Sequence, residues 1–333
     1  MRFFLYLASI IFFSSNIFIK AQSSIRYEDK IRIAEAYRIA ELYCNKIWKD
    51  WDKAPFALLL IYDDNEFLIN HPSPTEDFEL IGFDSLLKSN VYYRERVFNT
   101  NLLATFPAVN GLTTIVAGTP ENTEKSSVVW IITILHEHFH QYQYSQPDYY
   151  SSVNELDLSG GDETGMWMLN YPFPYDDEEV NKQHKKLTEA LLKVVIPFPP
   201  DSRLFHRDLT DFLEERKNFK NLLNEKDYKY FSFQLWQEGI ARYTEYKIAD
   251  MISNYEPSEE LIALKDYKPF YEAADGIREN IFNQIKEWSL KDNQRLCFYS
   301  FGAAEGLLLD RVNKNWKEQY FERKFFLEEY YPD

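Results

Sequence analysis

The apolar run SSVVWIITIL at 126–135 leads directly into HEHFH at 136–140, and this junction constrains the chain more than any other stretch. On a helix, residues four apart lie about 40° apart around the axis, so His136 and His140 share a face and Glu137 sits one step round from it. Burying unpaired imidazoles beside so apolar a segment would cost on the order of 2–7 kcal/mol per group. A metal ion removes that cost. Two neutral imidazoles and one carboxylate suit Zn²⁺ and leave a position open for water, whose pKa falls from about 15.7 towards about 7. Glu137 is then placed to take that proton and hand it to a leaving group. His138 points roughly 200° away from His136 on the same helix and is expected to buttress the site rather than join it.

Such a site needs a third protein ligand. The spacing HExxHxxGxxH would require Gly at 143 and His at 146, but Gln143 and Gln146 stand there, which excludes the metzincin pattern. The segment LWQEGIARYTEY at 235–246 reads as the middle of a helix, with Glu238 followed by a glycine. A glycine inside a helix costs about 1 kcal/mol relative to alanine, so Gly239 asks for a packing reason, and close approach to the metal-bearing helix would supply one. Glu238 is the leading ligand candidate. Glu155, Asp157, Asp162 and Glu163, in the irregular stretch that follows the HEHFH helix, are the alternatives. Arg242 and Glu245 fall on the Glu238 face of the same helix and are expected to support the ligands by hydrogen bonds.

Two of these segments resemble a known family. LWQEGIARYTEY is similar to the LWxNEGFAxYxEY segment of aminopeptidase-N-like gluzincins, and YSFGAAEGLLLD at 299–310 is similar to their YxKGAxxLxxL segment. The resemblance implies a gluzincin zinc metallopeptidase in which Glu238 is the third zinc ligand and Tyr299 hydrogen-bonds the oxyanion. A phenol aimed at developing negative charge favours the tetrahedral state over the substrate carbonyl. The chain departs from the family in three ways. A long insertion separates His140 from Glu238, the large flanking domains of typical aminopeptidases have no room, and the GxMEN signature has only an echo in GTPEN at 118–122. The resemblance would give Glu121 the substrate's amino terminus, although Pro120 removes a backbone donor from that strand. The similarity covers roughly 125–145 and 230–313 and leaves exopeptidase or endopeptidase action open.

The remaining sequence sets the frame. With 333 residues, 45% hydrophobic and 17% aromatic, the chain can bury a sizeable core. The first 21 residues join a basic start to an apolar run and a small residue, Ala21, and read as a cleaved signal peptide. Export to a periplasmic or extracellular space follows, with no stable membrane span after cleavage. Cys44 and Cys297 are too few for a disulfide framework but allow one bridge. A net charge of −16 disfavours nucleic acid and anionic lipid as partners; a peptide or protein substrate is what the gluzincin resemblance implies.

Residues 28–51 show helical spacing, and short β-rich runs at 55–62, 66–69, 91–98, 101–106 and 112–118 read as strands of one mixed sheet. Helices are expected at about 124–146, 207–225, 230–253, 257–288, 299–313 and 315–328. The expected class is α+β: a subdomain of helix and mixed sheet at 22–122, then a mainly helical metal-binding region at 123–333 with an inserted irregular loop at 147–200. In that loop Trp167 and the run YPFPY at 171–175 are candidates for a cleft wall. His206 has no placement from sequence. A protein of the same fold that holds the metal without catalysis is the rival reading; retention of Glu137 speaks against it, since a structural site needs no base.

Overall fold

The computed structural model describes residues 24–196 and 202–332; the signal segment at 1–21 lies outside them. Helix α1 (Tyr27–Ile39) leads, through a π-helical turn at Ala40–Cys44, into a last turn at Asn45–Ile47. Six strands follow: β1 (Leu58–Ile61), β2 (Asn65–Ile69), β3 (Glu79–Asp84), β4 (Ser89–Glu95), β5 (Leu103–Val109) and β6 (Leu112–Gly118). They form one mixed sheet in the order β3-β4-β2-β1-β6-β5, in which β1 and β6 are parallel and the other neighbours antiparallel. The fold is therefore α+β with a mixed sheet. Strand β3 escaped the sequence reading because ELIGFD shows no alternation: its residues are exposed or half-buried throughout.

The central strands explain their own pattern. Leu58, Leu60, Phe67, Ile69, Ile115 and Ala117 point into the main core under the helices, while Leu59, Ile61, Leu68 and Val116 enter a smaller cluster with Phe78 and Val109 on the other face. Alternate residues of a strand face opposite sides, so strands covered on both faces must be apolar at every position. LLLI at 58–61 is such a strand.

The helical part comprises α2 (Ser127–Tyr144), α3 (Tyr149–Glu155), α4 (Glu178–Val195), α5 (Arg203–Leu222), α6 (Glu225–Gln234), α7 (Ile240–Met251), α8 (Phe270–Glu287) and α9 (Leu296–Val312), with shorter turns between them. Three expectations are corrected. The 147–200 stretch is not an irregular loop, since it carries α3 and the eighteen-residue α4. The acidic run there is the start of α4, with the Asp177 side chain accepting from the Glu179 and Val180 amides and Val180, Leu187, Leu191 and Val194 buried at helical spacing. The helix expected over 257–288 is broken. A short turn at Glu259–Ile262 ends well before α8, whose first residue follows Pro269. The helix expected over 315–328 shrinks to Trp316–Gln319 and a 3₁₀ turn at Leu327–Tyr330, and Phe325 between them has φ 77°. Cys44 and Cys297 are both buried and free, so no bridge joins them. No helix among the described residues is long and apolar enough to cross a membrane.

Gly239 has a packing reason, but a different one from close approach to the metal-bearing helix. A Cβ on it would lie 2.6 Å from the Cα of Gly302, and one on Gly302 would lie 2.7 Å from the Cα of Gly239 and 2.9 Å from the Leu235 carbonyl oxygen. The segment carrying Glu238 thus touches α9, backbone against backbone, and α9 carries Tyr299. Gly302→Ala should cost about 1–3 kcal/mol by overpacking and lower the unfolding temperature in calorimetry. An unchanged unfolding temperature would contradict this close approach.

Candidate metal centre

Helix α2 packs under β5 and β6 and against α1 and α7. Its first turn is tied down by Asp266, whose carboxylate accepts from the Ser127 amide at 2.6 Å and from the Ser127 hydroxyl, which also accepts from Arg32 Nε. An acceptor at a helix start satisfies donors that lack a partner within the helix. The HEHFH segment lies near the other end of α2, wholly buried: His136 is 8%, Glu137 7% and His140 6% exposed.

Glu238 arrives on a π-helical turn, Leu235–Gly239, that joins α6 to α7. Such turns insert one extra residue and recur at functional sites. Here the widened turn presents the Trp236 and Gln237 carbonyls to Gln143 Nε2, at 3.3 and 3.0 Å, and Gln143 Nε2 also donates to Tyr320 Oη at 2.7 Å. With its amide so oriented, Gln143 offers Oε1 to His140 Nδ1 at 2.7 Å. His136 Nδ1 lies 3.0 Å from Glu245 Oε2, and Arg242 Nη1 in turn donates to both Glu245 oxygens at 2.7 Å. Nδ1 of each imidazole thus has a polar partner, which turns Nε2 of both rings towards the point where an ion would sit. The ligand atoms of His136, His140 and Glu238 all lie within 4.8 Å of one another, and no other group of three such residues forms among the described residues. His140 Nε2 and Glu238 Oε2 are 3.4 Å apart.

The electrostatics fit the same reading. Burial pushes the His140 imidazole down, but Glu238, with help from Glu137, outweighs it and lifts the ring to about 9. Burial raises the Glu238 carboxyl, yet His140 and His136 hold it at about 2; Glu245 is held at about 2 by Arg242 and His136 against the same burial. A half-buried carboxylate facing two buried imidazole nitrogens is a donor set that zinc satisfies. Residues present therefore fit the ion.

Glu137 is held from the sheet. The Thr105 hydroxyl lies 2.8 Å from Glu137 Oε2 and 3.0 Å from its carbonyl oxygen. Thr105 belongs to β5, the last strand of the sheet, which among the described residues pairs with β6 alone and so presents its outer edge beside the site. Tyr299, at the start of α9, accepts from Arg295 Nη1 at 2.5 Å. Burial, and next the Glu238 carboxylate beside it, raise the Tyr299 phenol well above its ordinary value, so it stays protonated and able to donate. A cleft of about 540 Å³ opens in front of His136, Glu137 and Tyr299, with Arg242 and Glu245 in its wall and Val129, Thr133, Ile277 and Trp288 as apolar lining.

The structure thus brings together His136, Glu137, His140, Glu238, Tyr299, Arg242 and Glu245. It does not bring Glu121 or Trp167 to the cleft. Glu121 pairs with Arg26 at 2.6 Å and Arg32 at 3.6 Å, and Trp167, 9% exposed, packs on Phe233. The YPFPY run covers core: Tyr171 stacks on Tyr230, and Phe173 meets Phe298 edge-on. Of the alternative ligands, Asp157 pairs with Lys226, and Asp162 caps its own loop through Thr164 and the Trp167 amide. His206 is exposed on α5. His138 stacks on Phe56 at 3.9 Å and is lowered to about 4 by burial, so it is a neutral core residue. Thr105, Gln143 and Arg295 were missed; only Gln143, three residues beyond His140 on one helix face, left a sequence signal.

Removing Glu245 tests the support of His136. Glu245→Ala leaves His136 Nδ1–H without its acceptor, and zinc affinity should fall about 10–100-fold in competition with a chromophoric chelator. Unchanged affinity would mean that Glu245 does not orient the ring. No known protein family, curated protein or solved structure matches the chain.

Proposed function

We propose that the chain is a zinc-dependent peptidase of gluzincin type that hydrolyses peptide bonds in an exported setting. The observation that carries this reading is the convergence of His136, His140 and Glu238 on one point, beside a Glu137 fixed by Thr105 and a Tyr299 that faces the same cleft. Zinc bound there would supply Lewis-acid activation of water and carbonyl. The chain's own residues supply the rest. A peptide lying along the outer edge of β5 gains main-chain hydrogen bonds from an unpaired strand edge, which fixes its scissile bond next to Glu137. Glu137 takes a proton from the attacking water as the C–O bond forms, then delivers it to the amide nitrogen as the C–N bond breaks. Tyr299 donates to the carbonyl oxygen while negative charge collects on it, and Arg295, donating to the same phenol oxygen, makes it a stronger donor.

The test is a mixed peptide library. Protein as purified should cleave it, lose activity on dialysis against a chelator and regain it with one equivalent of zinc. Absence of cleavage at full zinc occupancy would favour a metal-holding protein without catalysis. Blocking substrate amino termini then separates exopeptidase from endopeptidase action, with loss of cleavage pointing to the former.

A further inference from the structure

On the side of α2 away from the metal ligands lies a second cavity, of about 600 Å³, between α1, the β3–β4 turn and the stretch around Asp52. Its floor includes His138, 2% exposed, stacked on Phe56. Gln141 sets the state of that ring. Gln141 Nε2 donates to the Ala57 and Thr113 carbonyls at 2.9 and 3.1 Å, so its Oε1 must be the atom that meets His138 Nδ1 at 3.0 Å. His138 therefore carries its proton on Nδ1. Nε2 is left as a lone pair with no hydrogen-bond partner among the described residues, and it is not sealed in the interior as His71 Nε2 and His184 Nε2 are. An acceptor of this kind in a cavity wall calls for a donor on whatever fills it.

Charge narrows the choice. Glu41, Asp52 and Glu260 stand around the cavity without an ion-pair partner among the described residues, and Lys88 is the one opposing charge there that is also unpaired among them. Arg38 and Glu35, also in the wall, answer each other at 3.6 Å, and Glu35 further accepts from Tyr255 and Ser258. Ile31, Leu87 and Phe56 add apolar wall. A donor, a positive charge and a short hydrocarbon stem are together the properties of a primary alkylammonium group.

We propose that this cavity is a second binding site for a primary alkylammonium group, which donates to His138 Nε2, lies in the field of Glu41, Asp52 and Glu260, and lays its methylenes on Ile31, Leu87 and Phe56. Ion-pair attraction near a surface and one charge-assisted hydrogen bond together suit binding of such a group without any metal. The chemistry is shared by free aliphatic amines and by lysine side chains. The site is independent of the hydrolytic centre, and its success or failure is separable from it.

With only six histidines in the chain, long-range ¹H–¹⁵N spectra resolve His138. The zinc-loaded protein should show the Nδ1–H tautomer there, and n-butylammonium should shift Nε2 saturably. Tetramethylammonium, of equal charge but with no N–H, should bind at least about tenfold more weakly. An N-acetyl-lysine amide peptide binding as tightly as n-butylammonium would assign the site to protein partners; weaker binding would assign it to free amines. The variant Glu41→Gln/Asp52→Asn/Glu260→Gln, all on the surface, should weaken n-butylammonium at least about tenfold while zinc content and peptide cleavage stay unchanged. Lack of a saturable His138 shift, equal binding of tetramethylammonium, or an unaffected triple variant would each overturn the proposal.

Discussion

Glu137→Gln should lower peptide turnover by about 10²–10⁴-fold while the protein keeps its full zinc content. The substitution is nearly isosteric, and Thr105 can still hydrogen-bond the side-chain oxygen and the main-chain carbonyl of residue 137. What is lost is the basic oxygen that takes the water proton. His136, His140 and Glu238 are untouched, so metal content separates a lost base from a lost site. The measurement is turnover of one cleaved library peptide beside zinc by atomic absorption. Turnover within a few fold of wild type would remove Glu137 from the reaction and with it the proposed mechanism.

Glu238→Ala should have the complementary effect: zinc is lost, and activity goes with it. The variant removes one of three protein ligands, so affinity should fall by more than the roughly 10–100-fold that loss of an outer partner costs. The fold should survive, because the π-helical turn is held elsewhere, through Gln143 on the Trp236 and Gln237 carbonyls and Gly239 on Gly302. Circular dichroism unchanged from wild type, with zinc content well below stoichiometric, is the expected pair of results. Retained zinc would move the third ligand elsewhere; of the alternatives, Asp157 and Asp162 already have partners of their own, which leaves Glu155 and Glu163.

The parts of this site legible in the sequence are those whose geometry is local. His136, Glu137 and His140 lie within two turns of one helix, so spacing alone places them. Glu238 and Tyr299 were found through segments that resemble a family, and Arg242 and Glu245 through helical register with Glu238. Thr105 could not be found that way, since it comes from a strand brought to Glu137 only by the sheet packing on α2. The π-helical turn was equally hidden, because LWQEG carries no helix breaker before its glycine. The glycine itself was noticed for a sound reason and given the wrong neighbour, as backbone contact with Gly302 depends on how α7 and α9 cross. In the fold, strands with apolar runs were legible, whereas β3, half-exposed along its length, was not. Helix α4 was hidden by the acidic run that caps it, which reads as a loop until Asp177 is seen accepting from the first-turn amides.

The most direct measurement is a crystal structure of the zinc-loaded protein with anomalous data collected on both sides of the zinc edge. One anomalous peak is expected, at about 2.0–2.2 Å from His136 Nε2, His140 Nε2 and a Glu238 carboxylate oxygen, with Glu137 beside it and not bound to it. A peak ligated by other residues, a fourth protein ligand closing the coordination, or no peak from zinc-saturated protein would contradict the proposed centre.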